Sequence, residues 1–147
     1  MQINDNKLQV RQLHQRGFTL MELLIVLVII SVLAAIVFPS YQRYVKNTQR
    51  SVVKGQMVDL TQALERYKTQ NFSYEGATPA LDHDLSNNKF YTAALVVNST
   101  THQSFTITAT PKSGTILDGD GTLQLDSNGN SCYVQGTSCT VSSGSSW

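Results

Sequence analysis

The most distinctive pattern in the chain is a continuous apolar segment near its N-terminus. Residues 18–38 form a stretch of 21 residues in which Glu22 is the only charged side chain. A helix of this length, at about 1.5 Å per residue, spans the roughly 30 Å hydrocarbon core of a bilayer. An unpaired carboxylate in such a helix costs roughly 2.5–3.5 kcal/mol on insertion scales. We therefore predict a membrane-spanning helix, and we expect Glu22 to have a partner.

A second apolar pattern, which has a helical period, follows Pro39. At Pro39 itself we predict a kink, because proline removes a backbone donor. Its apolar positions recur at steps of four and three: Val53, Met57, Leu60, Leu64 and Tyr67. The charged residues occupy other positions, which predicts an exposed face: Lys46, Arg50, Lys54, Asp59, Glu65 and Lys68. The pattern predicts an amphipathic helix that ends near Asn71 and lays its apolar stripe on a globular domain.

Beyond Asn71 the helical period gives way to strand patterns. Residues 71–89 contain Gly76 and Pro79, and the presence of these residues predicts an irregular connection. Three short apolar or alternating runs then predict strands, at 90–97, 105–110 and 122–125. Because short turns separate these runs, sequential antiparallel pairing is expected. The predicted fold class is therefore α+β, with a long N-terminal helix packed on a small antiparallel sheet.

The charge distribution gives the helix an orientation. The formal net charge is only +1, so no strong field attracts nucleic acid, and we predict no specific nucleic-acid partner. Lys7, Arg11 and Arg16 precede the apolar segment, which favours a cytoplasmic N-terminus and an exported C-terminal domain. A secretory signal peptide is disfavoured, because Glu22 interrupts the apolar run and 21 residues exceed the usual 7–15. A plain single-pass anchor stays open but leaves Glu22 unexplained.

The two cysteines, Cys132 and Cys139, suit an exported domain. Their spacing is not that of a C-x-x-C redox motif, and no histidine lies near enough in sequence to complete a zinc site. In an oxidising compartment such a pair usually forms a disulfide. We expect a structural bridge that stabilises the domain by roughly 2–3 kcal/mol.

The residues around the start of the apolar segment resemble a known processing signal. Gly17-Phe18-Thr19-Leu20-Met21-Glu22-Leu23 closely resembles the class III signal of type IV pilins and pseudopilins. The resemblance extends over about thirty residues, through Ala34, Ala35, Ile36, Pro39, Tyr41 and Tyr44. It implies that a prepilin peptidase cuts after Gly17, that Phe18 becomes the N-methylated terminus, and that Glu22 serves assembly. Glu22 of one subunit would then pair with the Phe18 amine of its neighbour.

The resemblance also implies an architecture and a set of partners. The expected segments are a cleaved leader at 1–17, a filament-core helix at 18–39, an amphipathic helix at 40–71, and a sheet domain closed by the disulfide at 72–147. The expected fold is that of a type IV pilin. The implied partners are other pilin subunits, the prepilin peptidase and the inner-membrane assembly platform. The precursor would span the bacterial inner membrane with a periplasmic domain, and the assembled subunit would be extracellular.

Within the family, short downstream motifs resemble PilE-type minor pilins. They are Leu64-Glu65-Arg66-Tyr67, Asn71-Phe72-Ser73-Tyr74, Thr108-Ala109-Thr110-Pro111 and Gly121-Thr122-Leu123. The expected function is a structural subunit that supports pilus biogenesis, twitching, adhesion or DNA uptake. A type II secretion pseudopilin and a major or competence pilin are the alternatives. Pilins usually carry glycine where this chain has Ser31, whose hydroxyl can bond back to its own helix and oppose local unwinding.

No arrangement of residues predicts catalysis, so we expect neither enzymatic activity nor a cofactor. Asp118, Asp120 and Asp126 invite comparison with a calcium loop. The sixth and twelfth EF-hand positions are not matched, so a solvated hairpin turn is favoured and no metal is expected. Three scattered histidines are interpreted as surface residues: His14, His83 and His102. Asn71 and Asn98 begin glycosylation sequons that carry little weight here.

Overall fold

The computed structural model describes residues 17–77, 85–142 and 146–147. One helix, α1 (Leu20–Asn71), precedes four strands, β1 (Tyr91–Val97), β2 (Phe105–Pro111), β3 (Leu123–Asp126) and β4 (Ser131–Tyr133). The chain divides into two compact units between Pro39 and Ser40. The long helix agrees with the prediction that apolar and amphipathic patterns form one helix ending near Asn71.

The first unit contains the apolar part of α1. The helix is long and apolar enough to cross a membrane, and its side chains from Leu20 to Pro39 are all exposed. Thr19 caps its start, because the Thr19 Oγ1 and carbonyl accept the Glu22 and Leu23 N–H groups, each at 3.2 Å. Ser31 Oγ donates to the Leu27 carbonyl at 2.7 Å, as expected. Pro39 lies inside α1, and the kink proposed there stays a prediction.

In the second unit, Ser40–Trp147, the buried apolar side chains that the structure describes form one hydrophobic cluster. The helix contributes the stripe expected from the sequence: Val53, Met57, Leu60 and Leu64 are buried, and Tyr67 packs beside them. The sheet contributes alternate residues of β2 and β3: Phe105, Ile107, Ala109, Leu123 and Leu125. Tyr74 closes one side with an edge-on contact to Phe105, at 4.9 Å between ring centroids. The period-two pattern of β2 is therefore confirmed.

The strands pair sequentially and antiparallel in the order β1-β2-β3-β4. Ile107 stands opposite Leu125, and Gln124 stands opposite Cys132. Three of the four strands match predicted runs, whereas β4 is missed by the sequence analysis. Its three residues, Ser131–Tyr133, are too few to show a period. Its position at the sheet edge nevertheless joins the first cysteine to the fold.

Two residues with positive φ lie where the helix end meets the β1–β2 turn. Phe72 (φ 58°) follows α1, and its N–H donates to the Lys68 carbonyl at 2.6 Å. His102 (φ 53°) accepts a hydrogen bond at its carbonyl from Tyr74 N–H, at 2.9 Å. Gln103 Nε2 donates to the Phe72 carbonyl at 3.0 Å, which ties the turn to the helix end. Phe72 is 84% exposed.

Candidate functional site

The predicted processing residues lie at the exposed start of α1. Phe18 is 76% exposed, and a Cβ placed on Gly17 would meet no atom within 4 Å. Gly17 and Phe18 are therefore both exposed. Glu22 lies in the first turn of the helix, where the macrodipole favours an acidic side chain. Among the described residues, no basic group forms an ion pair with Glu22.

The second unit contains a charged contact that the sequence analysis did not identify. Arg50 Nε and Nη2 donate to the two carboxylate oxygens of Asp120, both at 2.6 Å. This is a bidentate pair, and the Asp120 side chain is only 1% exposed. Asn47 Oδ1 accepts the remaining branch of the guanidinium at 2.8 Å. The Asp120 hydrogen bond raises the pKa of Arg50 above its ordinary value.

The Tyr133 ring contacts this pair, and Lys54 lies over both the Tyr133 and the Trp147 rings. We call these five residues the Asp120 cluster: Arg50, Lys54, Asp120, Tyr133 and Trp147. The Arg50 guanidinium lies 4.8 Å from the Tyr133 ring centroid, and Tyr133 Oη donates to the Asp120 carbonyl at 3.1 Å. Lys54 Nζ lies 5.2 Å from the Trp147 ring centroid. Burial, with a smaller effect of Arg50, lowers the pKa of Lys54.

Tyr91 lies beside the Asp120 cluster with a fully buried ring. Within the described part of the chain, its buried hydroxyl has no hydrogen-bond partner. Burial first, and the negative charge of Asp120 second, raise the pKa of Tyr91 well above its ordinary value. An unpaired buried hydroxyl is costly, so this residue is an identifiable weak point of the core.

The disulfide-closed loop packs against the segment that carries Asp120. Cys132 and Cys139 are bridged, with Cα atoms 6.1 Å apart, which agrees with the expected pairing. Gly136 N–H donates to the Asp120 carbonyl at 3.0 Å, and Thr122 N–H donates to the Thr137 carbonyl at 3.1 Å. Gly121 has φ 103°, and a Cβ there would clash with the Val134 carbonyl oxygen. Only glycine allows the two backbones to approach this closely.

The prediction of a solvated turn for the three late aspartates is wrong for Asp120. Asp120 is buried and paired with Arg50, whereas Asp118 accepts Gly114 N–H at 2.9 Å. Asp126 accepts Asn128 and Asn130 N–H groups at 2.9 and 2.8 Å. Asp118 itself is exposed, as a solvated turn requires. The described residues contain no group of three or more side chains suited to hold a metal ion.

The prediction of an exposed charged face on the amphipathic helix also needs correction. Asp59 and Glu65 are exposed, but the four basic residues assigned to that face are half-buried: Lys46, Arg50, Lys54 and Lys68. A signal was present in the sequence: Arg50 lies one helical turn before Val53, at the border of the buried stripe. No comparable signal marks Asp120. His102 is half-buried, and its Nδ1 lies 3.8 Å from a Glu75 carboxylate oxygen. His14 and His83 lie outside the described residues.

Comparison with known families agrees with this architecture. Residues 39–124 match the family described as "Type IV minor pilin ComP, DNA uptake sequence receptor". Residues 13–38 match the family described as "Prokaryotic N-terminal methylation motif". The first match covers more than half of the chain, including most of the sheet and the amphipathic part of α1.

Similar proteins include pilins and a secretion protein. The chain is 33% identical over 135 residues to fimbrial protein EcpC of Eikenella corrodens, covering 82% of this chain and 88% of that protein. It is 40% identical over 75 residues to the type IV major alpha-pilin of Moraxella bovis, covering 51% of this chain and 44% of that protein. It is 37% identical over 68 residues to type II secretion system core protein G of Pseudomonas aeruginosa, covering 46% of this chain and 48% of that protein. The chain thus spans about half, or less, of the last two.

A solved structure has the same fold. The crystal structure of the Neisseria meningitidis non-core minor pilin PilV aligns with a TM-score of 0.51 at 20% identity, covering 63% of this chain and 89% of that chain. The predicted fold class, a long helix packed on an antiparallel sheet, is confirmed. Since a family match covers more than half of the chain and EcpC is matched over most of its length, the chain belongs to the type IV pilin family, as a minor pilin of the ComP type.

Proposed function

We propose that the chain is made as a membrane-spanning precursor, cut between Gly17 and Phe18, N-methylated at Phe18 and assembled into a type IV pilus as a minor subunit. The prepilin peptidase and the inner-membrane assembly platform would act on it. Its second unit would be periplasmic before assembly and extracellular afterwards. A structural subunit of this kind has no catalytic role and needs no cofactor.

The observation that carries this proposal is the isolated charge of Glu22. It is the only charged residue between positions 18 and 38, and no described basic group pairs with it. Cleavage after Gly17 would create an amine four residues before Glu22, which neutralises the carboxylate within lipid. In a filament the same amine is available to the Glu22 of a neighbouring subunit. Apolar helices attract each other weakly in lipid, so this pairing would set the stagger between subunits.

Replacement of Glu22 by alanine tests the assembly role. The Glu22→Ala chain should insert in the membrane normally, because the substitution makes the helix more apolar. Its amount in sheared filaments, measured by immunoblot against the membrane pool, should fall severalfold. Thr19→Ala is the matched control, because it removes the helix cap at the same end and leaves the charge. Unchanged incorporation of the Glu22→Ala chain would refute the role.

A secretion pseudopilin is the competing structural role, since core protein G is similar over part of the chain. The contacts of the late aspartates help to distinguish a pilus subunit from a secretion pseudopilin. A calcium-dependent loop at these aspartates would favour a pseudopilin, but the Asp120 carboxylate binds Arg50 and the Asp126 carboxylate binds backbone donors. We expect calcium to leave the unfolding midpoint unchanged. A calcium-dependent rise, together with a secretion defect on deletion, would favour the pseudopilin role.

DNA binding is a second candidate function, favoured by the description of the matched family as a DNA uptake sequence receptor. This candidate departs from the prediction of no specific nucleic-acid partner, which rested on the small net charge. The structure offers one suitable surface at the end of α1. Phe72 is an exposed aromatic ring, and Lys68 lies one helical turn before it with its Nζ 4.7 Å from the Tyr74 ring. Stacking of a base on Phe72 and a phosphate contact at Lys68 is the kind of recognition such a surface supports.

Titration of the detergent-solubilised chain with labelled DNA tests this candidate. Phe72→Ala should weaken binding about tenfold, the scale of one lost base stack. Lys68→Gln should reduce the salt dependence of binding. Val96→Ala is the control, because Val96 is also highly exposed but lies on the sheet. Equal affinity of all four proteins would exclude this surface.

A further inference from the structure

The turn that joins β3 to β4 contains the single Asn-Gly sequence of the chain, Asn128-Gly129. Asp126 N–H donates to the Asn130 carbonyl at 2.9 Å, and Gly129 N–H donates to the Asp126 carbonyl at 3.1 Å. Gly129 has φ 81°, a conformation that glycine adopts without steric cost. These bonds define a three-residue loop, 127–129, that ends in a left-handed glycine. Both Asn128 and Gly129 are exposed.

The side chain of Asn128 is free, in contrast to most of the described asparagines. Its backbone N–H donates to Asp126 Oδ1 at 2.9 Å, but among the described residues its carboxamide has no hydrogen-bond partner. Hydrogen bonds hold the side chains of the following asparagines: Asn47, Asn71, Asn88, Asn98 and Asn130. Asn87 is exposed and also free, but another asparagine follows it. Asn128 therefore combines a free carboxamide with a following glycine.

This combination allows the side chain to react with the backbone. The Gly129 nitrogen, after it loses its proton, attacks the side-chain carbonyl carbon of Asn128. A C–N bond forms, the carboxamide nitrogen leaves as ammonia, and a cyclic imide results. Water then opens the imide at either carbonyl and leaves aspartate or isoaspartate at position 128. The reaction consumes water, releases ammonia and needs no oxidant, reductant or enzyme. Glycine favours it because no side chain shields the attacking nitrogen.

We propose that Asn128 is a site of spontaneous deamidation in the folded protein, because its exposed, unbonded carboxamide precedes the backbone nitrogen of Gly129. The hydrogen bond from Gly129 N–H to the Asp126 carbonyl opposes the reaction, since the nitrogen must lose that proton. At 3.1 Å this bond is near the long end of ordinary N–H···O distances. It also lies in an exposed turn, where local opening requires little free energy. The fold therefore slows the reaction without preventing it, and the inference is independent of the proposed function.

Deamidation would change both the charge and the geometry of the turn. The formal net charge of the chain would fall by one unit from +1, to zero. Asp126 Oδ1 accepts the N–H groups of Asn128 and Asn130 at 2.9 and 2.8 Å. A second carboxylate in this turn would repel that of Asp126. Isoaspartate would also lengthen the backbone between the two N–H groups, so β4, which begins at Ser131, would be held less tightly to β3.

Incubation of the detergent-solubilised full chain, followed by mass spectrometry, tests the proposal. The folded chain should gain the mass difference between a hydroxyl and an amino group, and fragment spectra should place that gain at position 128. The rate should rise roughly tenfold from pH 7 to pH 8, because removal of the nitrogen's proton depends on hydroxide. The same chain in urea should react faster, because the turn is then open. No gain at position 128 in the folded chain, or a rate independent of pH, would overturn the inference.

Three variants give this experiment its controls. Asn128→Gln should remove the mass gain, because a glutamine side chain would have to close a larger ring, which forms far more slowly. Asn87→Gln is the matched control and should react at the wild-type rate, because Asn87 is exposed and free but precedes Asn88. Asn128→Asp should focus at the same isoelectric position as the aged wild type. An undiminished mass gain in Asn128→Gln, or its loss in Asn87→Gln, would contradict the assignment.

Discussion

At the scale of single residues, the pair of Arg50 and Asp120 is the polar contact on which the second unit depends most. The Asp120 side chain is 1% exposed, and the Arg50 side chain is 15% exposed. A buried carboxylate is tolerated because two guanidinium donors bind it. Removal of one partner leaves the other charge without compensation, which costs more than the pair contributes.

Arg50→Met should therefore lower the free energy of unfolding by about 3–5 kcal/mol. Arg50→Met combined with Asp120→Leu should lower it by clearly less, because neither charge is then stranded. Denaturant unfolding followed by the fluorescence of Trp147, the single tryptophan, measures both. Trp147 suits this purpose because it lies in the same cluster, next to Lys54. A loss in the double variant at least as large as that in Arg50→Met would contradict the argument that a stranded charge causes the loss.

Tyr91 is one of three tyrosines, with Tyr74 and Tyr133, whose raised pKa makes the second unit sensitive to alkaline pH. Burial raises the pKa of Tyr91 above the ordinary tyrosine value of about 10. The folded state then holds its proton at a pH where the unfolded state has lost it, so stability falls as pH rises above about 10. Tyr91→Phe should make this decline shallower. At pH 7 the substitution should be neutral or stabilising by up to about 1 kcal/mol, because it removes an unpaired hydroxyl.

Unfolding curves of wild type and Tyr91→Phe at pH 7 and pH 11 give the comparison. Tyr67→Phe is a suitable control, because Tyr67 Oη donates to the Glu75 carbonyl at 2.8 Å. Loss of this hydrogen bond should be destabilising at both pH values. Identical pH profiles for wild type and Tyr91→Phe would contradict the assignment.

At the scale of elements, the disulfide-closed loop depends on the glycine beneath it. Gly121→Ala should lower the free energy of unfolding by about 3 kcal/mol or more, since strain from positive φ and a clash with Val134 combine. Gly119→Ala is the matched control: its φ is 71°, but a Cβ there meets no atom. Gly119→Ala should lower the free energy of unfolding by about 1 kcal/mol. Chemical denaturation measures both, and equal losses would show that the close approach contributes nothing.

The elements differ in how far the sequence predicts them. Helix α1 and strand β2 are predictable because each has a clear period over many residues, 3.6 for Val53 to Leu64 and 2 for Phe105 to Ala109. Strand β4 is not, because three residues carry no period. The pairing of Arg50 with Asp120 joins positions 70 apart in sequence. No local sequence pattern indicates such a contact, because only tertiary packing brings Arg50 and Asp120 together.

At the scale of the whole molecule, each of the two units has a different part in the proposed function. The apolar unit carries the processing residues Gly17 and Phe18 and the isolated Glu22, and local sequence alone indicates all three. The second unit carries the exposed surfaces, and these depend on tertiary contacts. The roles of these three residues stay predictions, whereas the Asp120 cluster of the second unit is not indicated by the sequence and emerges only from burial and tertiary contacts.

In the proposed function, cleavage creates a positive terminus four residues before the Glu22 carboxylate. Mass spectrometry of the chain recovered from filaments tests it most directly. We predict a polypeptide that begins at Phe18, carries one methyl group on its amine and lacks the 17 residues before it. A chain of Gly17→Leu should retain them. A mature polypeptide that starts at any other residue, or normal processing of Gly17→Leu, would contradict the account.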